Sequence, residues 1–283
     1  MIKALRNHWP EYLMEAWGLG TFMIAACIGT AVLWHPESPV EHWVSHSPLL
    51  QRLLMGVAMG LTAMAIVYSP WGKRSGAHIN PALTLTFLRL GTIAPWDAVF
   101  YVIFQFVGAI AGVAICWLLL GSLVSIPQVN FAVTIPGSPG VWTAFVAETL
   151  ISAGIMGTVL LTTNKPKIMH FTGVMIGCLL VLYITFEAPL SGMSMNPART
   201  VGSAVVANQW TGWWVYFLAP TIGMFVAAEI YLWTKGKDAV HCAKLNHTLD
   251  VRCIFCGYDP KMMSAKMMHS PMDSDVKETI QLK

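Results

Sequence analysis

Six apolar runs, at residues 10–33, 49–69, 97–120, 140–163, 171–188 and 211–233, constrain this chain more than any other feature. A helix needs about 20 mostly apolar residues to cross the hydrocarbon core of a bilayer. Five runs meet that length, while 171–188 is shorter and closes on Glu187. The first run is too long for the apolar core of a secretory signal, so it reads as a retained span. Charge agrees with this reading. Residues 1–233 carry nine Lys/Arg and eight Asp/Glu, far below the roughly 25% charged residues of a soluble domain, which excludes an ordinary soluble enzyme. The net charge of +3 is too small and scattered for a nucleic-acid partner. Trp34, Trp71, Trp96, Trp142 and Trp233 fall near run ends, as in the aromatic belt of a lipid bilayer interface.

Loop cations orient the spans, because Lys and Arg accumulate on the cytoplasmic side. Lys3, Arg6, Lys73, Arg74, Lys165, Lys167, Lys235 and Lys237 occupy alternate connections, whereas 34–48 and 121–139 contain no Lys or Arg. Six spans with both termini in the cytoplasm satisfy all of these segments. The chain is expected to be multi-pass in the plasma (cell inner) membrane.

A short repeat refines the architecture. Residues 75–82 read Ser-Gly-Ala-His-Ile-Asn-Pro-Ala, and residues 191–198 read Ser-Gly-Met-Ser-Met-Asn-Pro-Ala. Upstream, Gly56-x-x-x-Gly60 matches Gly173-x-x-x-Gly177, and Glu15 in the first run matches Glu148 in the fourth. Three spans per half is an odd number, so the second half must run upside down. Such inverted repeats place their site at the membrane midplane. The apolar segments after the two Asn-Pro-Ala triplets, 82–90 and 198–207, are too short to span; at 1.5 Å per residue each reaches about half the hydrocarbon thickness. Asn80 and Asn196 suit the helix N-cap, and Pro81 and Pro197 suit the first helical position. Each frame predicts a re-entrant loop and half-helix, one entering from each side. The expected fold is therefore an all-α integral membrane protein: six transmembrane helices plus two re-entrant half-helices as an inverted repeat, with a short cytoplasmic C-terminal extension. The expected division is 1–125, 126–233 and a tail at 234–283.

Glu15-x2-Gly18-x-Gly20-Thr21-Phe22, the first frame and the second frame through Arg199 are the motifs by which residues 10–233 resemble the aquaporin (major intrinsic protein) family. The tail lies outside the resemblance. What it implies is a passive channel, not an enzyme, working without a cofactor and assembled as a homotetramer.

The residues suggest how such a channel works. Two half-helices meeting N-terminus to N-terminus each bring about half a unit of positive charge to the midplane. Asn80 and Asn196, flanked by Pro81, Ala82, Pro197 and Ala198, can cap their helices and still offer amide N–H groups. A water held by both must turn its hydrogens away, which breaks a proton relay, and the field repels cations. By resemblance, Arg199 is the cationic member of an outer constriction, and Glu15 and Glu148 accept hydrogen bonds from the re-entrant loops. His78 is placed at the cytoplasmic vestibule, with plain loop packing as the competing role.

Carried over by spacing from the family, the constriction is Met59, Ile184, Met193 and Arg199. Gly60 competes with Met59, although Gly60 is better explained as a close-packing residue. Strict water channels of the family put Phe and His in this ring, and glycerol channels put Trp, Gly and Phe; neither set occurs here. Water is the expected cargo. The alternative is a small uncharged solute such as glycerol, urea, ammonia or a metalloid hydroxide.

The tail adds chemistry of its own. Cys242, His247, Cys253 and Cys256 form C-x4-H-x5-C-x2-C, and three thiols with one imidazole suit tetrahedral Zn²⁺. Free thiols in a small folded cap and a redox pair are the competing readings. Met262, Met263, Met267, Met268, Met272 and His269 would suit Cu(I). A metal-sensing membrane protein built on the tail stands as a further alternative. No phosphate-binding G-x-x-x-x-G-K-[S/T] occurs, and the acids within the spans have no catalytic partner in view.

Overall fold

The computed structural model describes residues 1–260, and among them all regular structure is helical. The chain runs through α1 (Ile2–Trp34), α2 (Pro39–Val44), α3 (Pro48–Tyr68), α4 (Pro70–Ser75), α5 (Pro81–Arg89) and α6 (Pro95–Leu120). It continues through α7 (Ser122–Ser125), α8 (Val141–Thr163), α9 (Thr172–Phe186), α10 (Ala188–Ser191), α11 (Pro197–Ala207) and α12 (Val215–Lys235). Helices α1, α3, α6, α8 and α12, with Met169–Phe186 around α9, are long and apolar enough to cross a membrane. Proline opens α2, α3, α4, α5, α6 and α11, where its missing N–H costs no helical hydrogen bond.

Two span limits differ from the apolar runs. Helix α1 begins at Ile2 rather than residue 10 and carries Pro10 within it. Lys3, Arg6 and His8 hide this extension from a hydropathy reading, yet the backbone of a helix satisfies itself in water or lipid alike. Helix α12 begins at Val215 rather than 211, because Gly212 turns the chain at φ +64° just before it.

Bare backbone lets the spans approach closely. A Cβ at Gly108 of α6 would fall 2.1 Å from the Ala16 carbonyl oxygen of α1, and one at Gly112 would fall 2.4 Å from that of Gly20. The α3–α9 seam repeats the device, with a Gly60 Cβ 2.6 Å from the Gly177 oxygen. Helices α8 and α12 meet at Gly223, whose Cβ would lie 2.2 Å from the Thr149 oxygen. Gly157, a small residue of the kind that favours helix contact, faces open space.

Composition suggests a water-exposed tail, but the described part of it is packed. After α12, residues 237–258 fold back so that Ala243, Lys244, Leu245 and Cys253 are buried. Arg252 donates to the Asn7 carbonyl at the start of α1 (3.4 Å), so the tail and the beginning of the chain share one face, here called the terminal face. Leu245 and the adjacent Ile254 and Phe255, which the segment's polarity outweighs in a hydropathy average, join the core beneath it. The methionines and His269 considered for Cu(I), residues 262–272, lie outside the described residues.

Candidate functional site

The half-helices α5 and α11 start at Asn80 and Asn196. Asn80 Oδ1 accepts from Ala82 N–H (2.9 Å), and Asn196 Oδ1 accepts from Ala198 and Arg199 N–H (3.1 and 3.2 Å). The amide nitrogens then cross over. Asn80 Nδ2 donates to the Met195 carbonyl (2.8 Å), and Asn196 Nδ2 donates to the Ile79 carbonyl (2.7 Å). Each amide carries two N–H groups, so one per asparagine is committed to the opposite loop.

The loops leading to these asparagines have matching, costly backbones. Gly76, Ala77 and Ile79 have φ of +101°, +55° and +41°; Gly192, Met193 and Met195 have +79°, +52° and +53°. Side chains other than glycine pay about 1–3 kcal/mol for such conformations. A buried carboxylate holds each loop in place. Glu15 accepts from Ser75 Oγ (2.7 Å), His78 N–H (3.1 Å), Ile79 N–H (2.6 Å) and Gln105 Nε2 (2.8 Å). Glu148 accepts from Ser191 Oγ (2.8 Å), Ser194 N–H (2.7 Å) and Met195 N–H (2.7 Å). Tyr101 and Tyr216 complete the pattern by donating to the Ser75 and Ser191 carbonyls.

A cavity lies on either side of the asparagines. The larger, about 420 Å³, opens away from the terminal face and is lined by Met59, Ile184, Met193 and Arg199. Arg199 Nη1 donates to the Ala132 carbonyl (2.8 Å), which aims the guanidinium along this wall. Met59 faces the cavity, whereas Gly60 packs on α9. The smaller cavity, about 90 Å³, is lined by His78, Asn80, Asn196 and Leu245 of the tail. Phe22, Leu180 and Ser194 line both, so the two cavities adjoin at the level of the asparagines.

His78 sits at the terminal mouth between two rings. Phe87 stacks on it at 5.0 Å and Phe255 of the tail at 5.4 Å with an interplanar angle of 7°. Its Nε2 donates to the Ala243 carbonyl (2.7 Å), and Nδ1 lies 3.1 Å from Thr84 Oγ1. The residues between which hydropathy gives no choice are also informative. Gln105, Phe22 and Arg52, which sequence reasoning left without a role, join the carboxylate network or the larger cavity. An amide inside an apolar run was the available signal for Gln105; no sequence signal marks Phe255.

The tail brings its four donors together. The sulfurs of Cys242, Cys253 and Cys256 and a ring nitrogen of His247 lie within 4.8 Å of one another. Cys242 Sγ is 3.5 Å from Cys253 Sγ, and His247 Nε2 is 3.3 Å from Cys256 Sγ. The thiol hydrogen bond from Cys242 holds the Cys253 pKa far below that of a free thiol. Buried Lys244 lies beside them, its ammonium donating to the Arg252 carbonyl (2.8 Å). Burial pushes its pKa down, and the nearby sulfurs offset this only in part.

Six membrane-crossing helices around two half-helices that meet at their N-termini define the class: an all-helical integral membrane protein with a central, doubly re-entrant site. Residues 3–231 match the model of the major intrinsic protein family, and the chain belongs to that family. Aquaporin NIP2-3 of Zea mays is 34% identical over 197 residues, covering 69% of this chain and 63% of that protein. The probable aquaporin NIP-type of Nicotiana alata is 36% identical over 184 residues, 64% of this chain and 66% of its own length. Aquaporin NIP2-1 of Oryza sativa subsp. japonica is 33% identical over 240 residues, covering 83% and 76%. The first two matches thus span just under two thirds of the relatives' length. Among solved structures, the aquaglyceroporin from Plasmodium falciparum shares the fold with a TM-score of 0.66 at 19% identity, over 80% of this chain and 96% of that one. The tail lies beyond the family match.

Proposed function

We propose that this chain is a passive channel for water and other small neutral molecules that excludes ions and protons. The observation that carries this reading is the adjoining pair of cavities on either side of Asn80 and Asn196. A molecule passing between them meets the two amide N–H groups left over from the crossed hydrogen bonds. A water bound to both accepts twice and can pass no proton onward. Arg199, with Met59, Ile184 and Met193, forms the selective ring on the side away from the tail, where its charge turns back cations. Glu15 and Glu148 are loop-positioning residues, and no cofactor takes part.

Water is the leading cargo. The aliphatic ring favours a second reading, passage of an uncharged solute such as glycerol, urea, ammonia or a metalloid hydroxide, because methionine side chains adapt their shape. The proposed setting is the plasma membrane, with both termini cytoplasmic and four copies assembled. In the tail, the clustered thiols and imidazole are read as a Zn²⁺ site.

Reconstituted vesicles decide the matter. Stopped-flow shrinkage should be faster than in empty vesicles and show a low activation energy, measured with and without a zinc chelator. Parallel gradients of glycerol, urea and ammonia rank the cargo. Permeability equal to that of empty vesicles under both conditions rejects the channel reading.

A further inference from the structure

The terminal mouth of the conduction path is filled by the tail, and the arrangement of the filling is specific. Leu245 lines the small cavity beside Asn80 and Asn196, and its backbone N–H donates to the Gly76 carbonyl (3.1 Å). The Ala243 carbonyl takes the His78 ring N–H, and Phe255 covers the same ring. Phe255 also packs edge-on against Tyr101 (5.9 Å) and closes over Gly76, where a Cβ would fall 2.9 Å from its ring. Two polar groups at this entrance, the His78 ring nitrogen and the Gly76 carbonyl, are thereby occupied by tail atoms. The consequence is a cavity of about 90 Å³ at this mouth against about 420 Å³ at the other.

A segment as short as 240–258 has too little apolar surface to hold this shape unaided, and small folds of that kind depend on a staple. The four donors supply one. Zn–S bonds of about 2.3 Å put tetrahedral sulfur ligands about 3.8 Å apart, and the donor pairs here stand at 3.5 and 3.3 Å. Three thiolates and a neutral imidazole around Zn²⁺ leave one negative charge. Lys244, 1% exposed, ties the two halves of the cluster together by donating to the Arg252 carbonyl (2.8 Å). The ligands also bracket the stopper: Cys242 precedes Ala243 and Leu245, while Phe255 lies between Cys253 and Cys256.

We propose that Zn²⁺ bound by Cys242, His247, Cys253 and Cys256 clasps the tail into a stopper, with Leu245 and Phe255 closing the terminal mouth, and that loss of the metal opens the path. This rests on the channel reading above and on its zinc assignment. Zn²⁺ displaces the thiol protons as it binds, so the clasp needs no oxidant. A disulfide between Cys242 and Cys253 would leave His247 and Cys256 without a function.

The test uses the full chain, kept reduced throughout with the non-thiol phosphine TCEP, and three readouts. Metal analysis should give about one zinc per chain, as a single four-ligand site requires. Cys253→Ser with Cys256→Ser should abolish it, whereas His247→Cys should retain it and guard against simple misfolding. In vesicles, the zinc chelator TPEN should raise water permeability severalfold and added Zn²⁺ should reverse the rise. Leu245→Ala with Phe255→Ala should raise permeability without loss of zinc. Limited trypsin digestion should begin to cut at Lys244 once the metal is removed. Absence of zinc from the intact chain overturns the proposal. So does zinc whose removal alters neither permeability nor cleavage at Lys244. Cleavage released by TPEN in a chain that never conducts would uphold the clasp and reject the channel reading instead.

Discussion

The two re-entrant loops are built alike and finished differently. Each has a serine and two backbone N–H groups on a buried carboxylate, a glycine with positive φ, a capping asparagine and a tyrosine on the serine carbonyl. Four aligned positions differ, Ala77/Met193, His78/Ser194, Ile79/Met195 and Leu83/Arg199, and two of them change the chemistry most. The position held by His78 in the first frame is held by Ser194 in the second, and Leu83 of α5 stands where α11 has Arg199. Ser194 bonds to Thr200 Oγ1 (2.6 Å) and the Asn196 carbonyl (2.9 Å) and lines the wide cavity together with Arg199. His78 turns outward to the tail. Shared residues hold the backbone, and unshared ones give the two cavities different linings.

The strongest way to break the parallel is to remove a carboxylate. Glu15→Ala and Glu148→Ala each strand backbone N–H groups in the interior, at about 1–3 kcal/mol per unmade bond. Both should lose folded protein in detergent melts, with Glu15→Ala the worse because Gln105 also loses one of its two amide partners, keeping only Thr84. Equal melting of Glu15→Ala and the parent chain would show that the first loop does not rely on its acid.

A smaller effect tests the packing on either side. Gly108→Ala and Gly223→Ala each force a methyl group onto a facing carbonyl, a clash worth about 1–3 kcal/mol. Gly157→Ala, which meets open space, should leave the melting temperature unchanged or slightly raised. A loss for Gly157→Ala as large as for Gly108→Ala would refute the account of close helix approach.

The least disturbing change to the fold should have the sharpest consequence for transport. Arg199→Val is expected to keep water flow while admitting cations and protons, read as vesicle pH and conductance changes. Leu83→Val, at the matching place in the first half, should admit neither. Ion exclusion that survives Arg199→Val would move the filter elsewhere.

The repeated frame was legible because backbone geometry dictates its letters. Glycine takes the left-handed turn, asparagine caps, proline starts a helix, and serine reaches the acid. Met59 and Gly60 were harder to separate, since neighbours on one helix face different partners and only the seam with α9 decides between them. The docked tail was not legible at all. Leu245 and the adjacent Ile254 and Phe255 lie in a polar stretch with no periodicity, and the His78 ring that Phe255 covers belongs to a loop far away in sequence. Sequence could group the four tail donors, but it could not say what they were holding.

Helix α1 runs from Ile2 to Trp34 without interruption, ~50 Å at 1.5 Å per residue, against the ~30 Å of a bilayer's hydrocarbon. Its first turns must therefore stand clear of the lipid as a rigid mast. Tyr12 and His8 moor its base to Asp97 of α6, and Glu11 ties it to Arg74. Arg252 touches it at Asn7. The tail is thus berthed against a post that is itself the continuation of a membrane span.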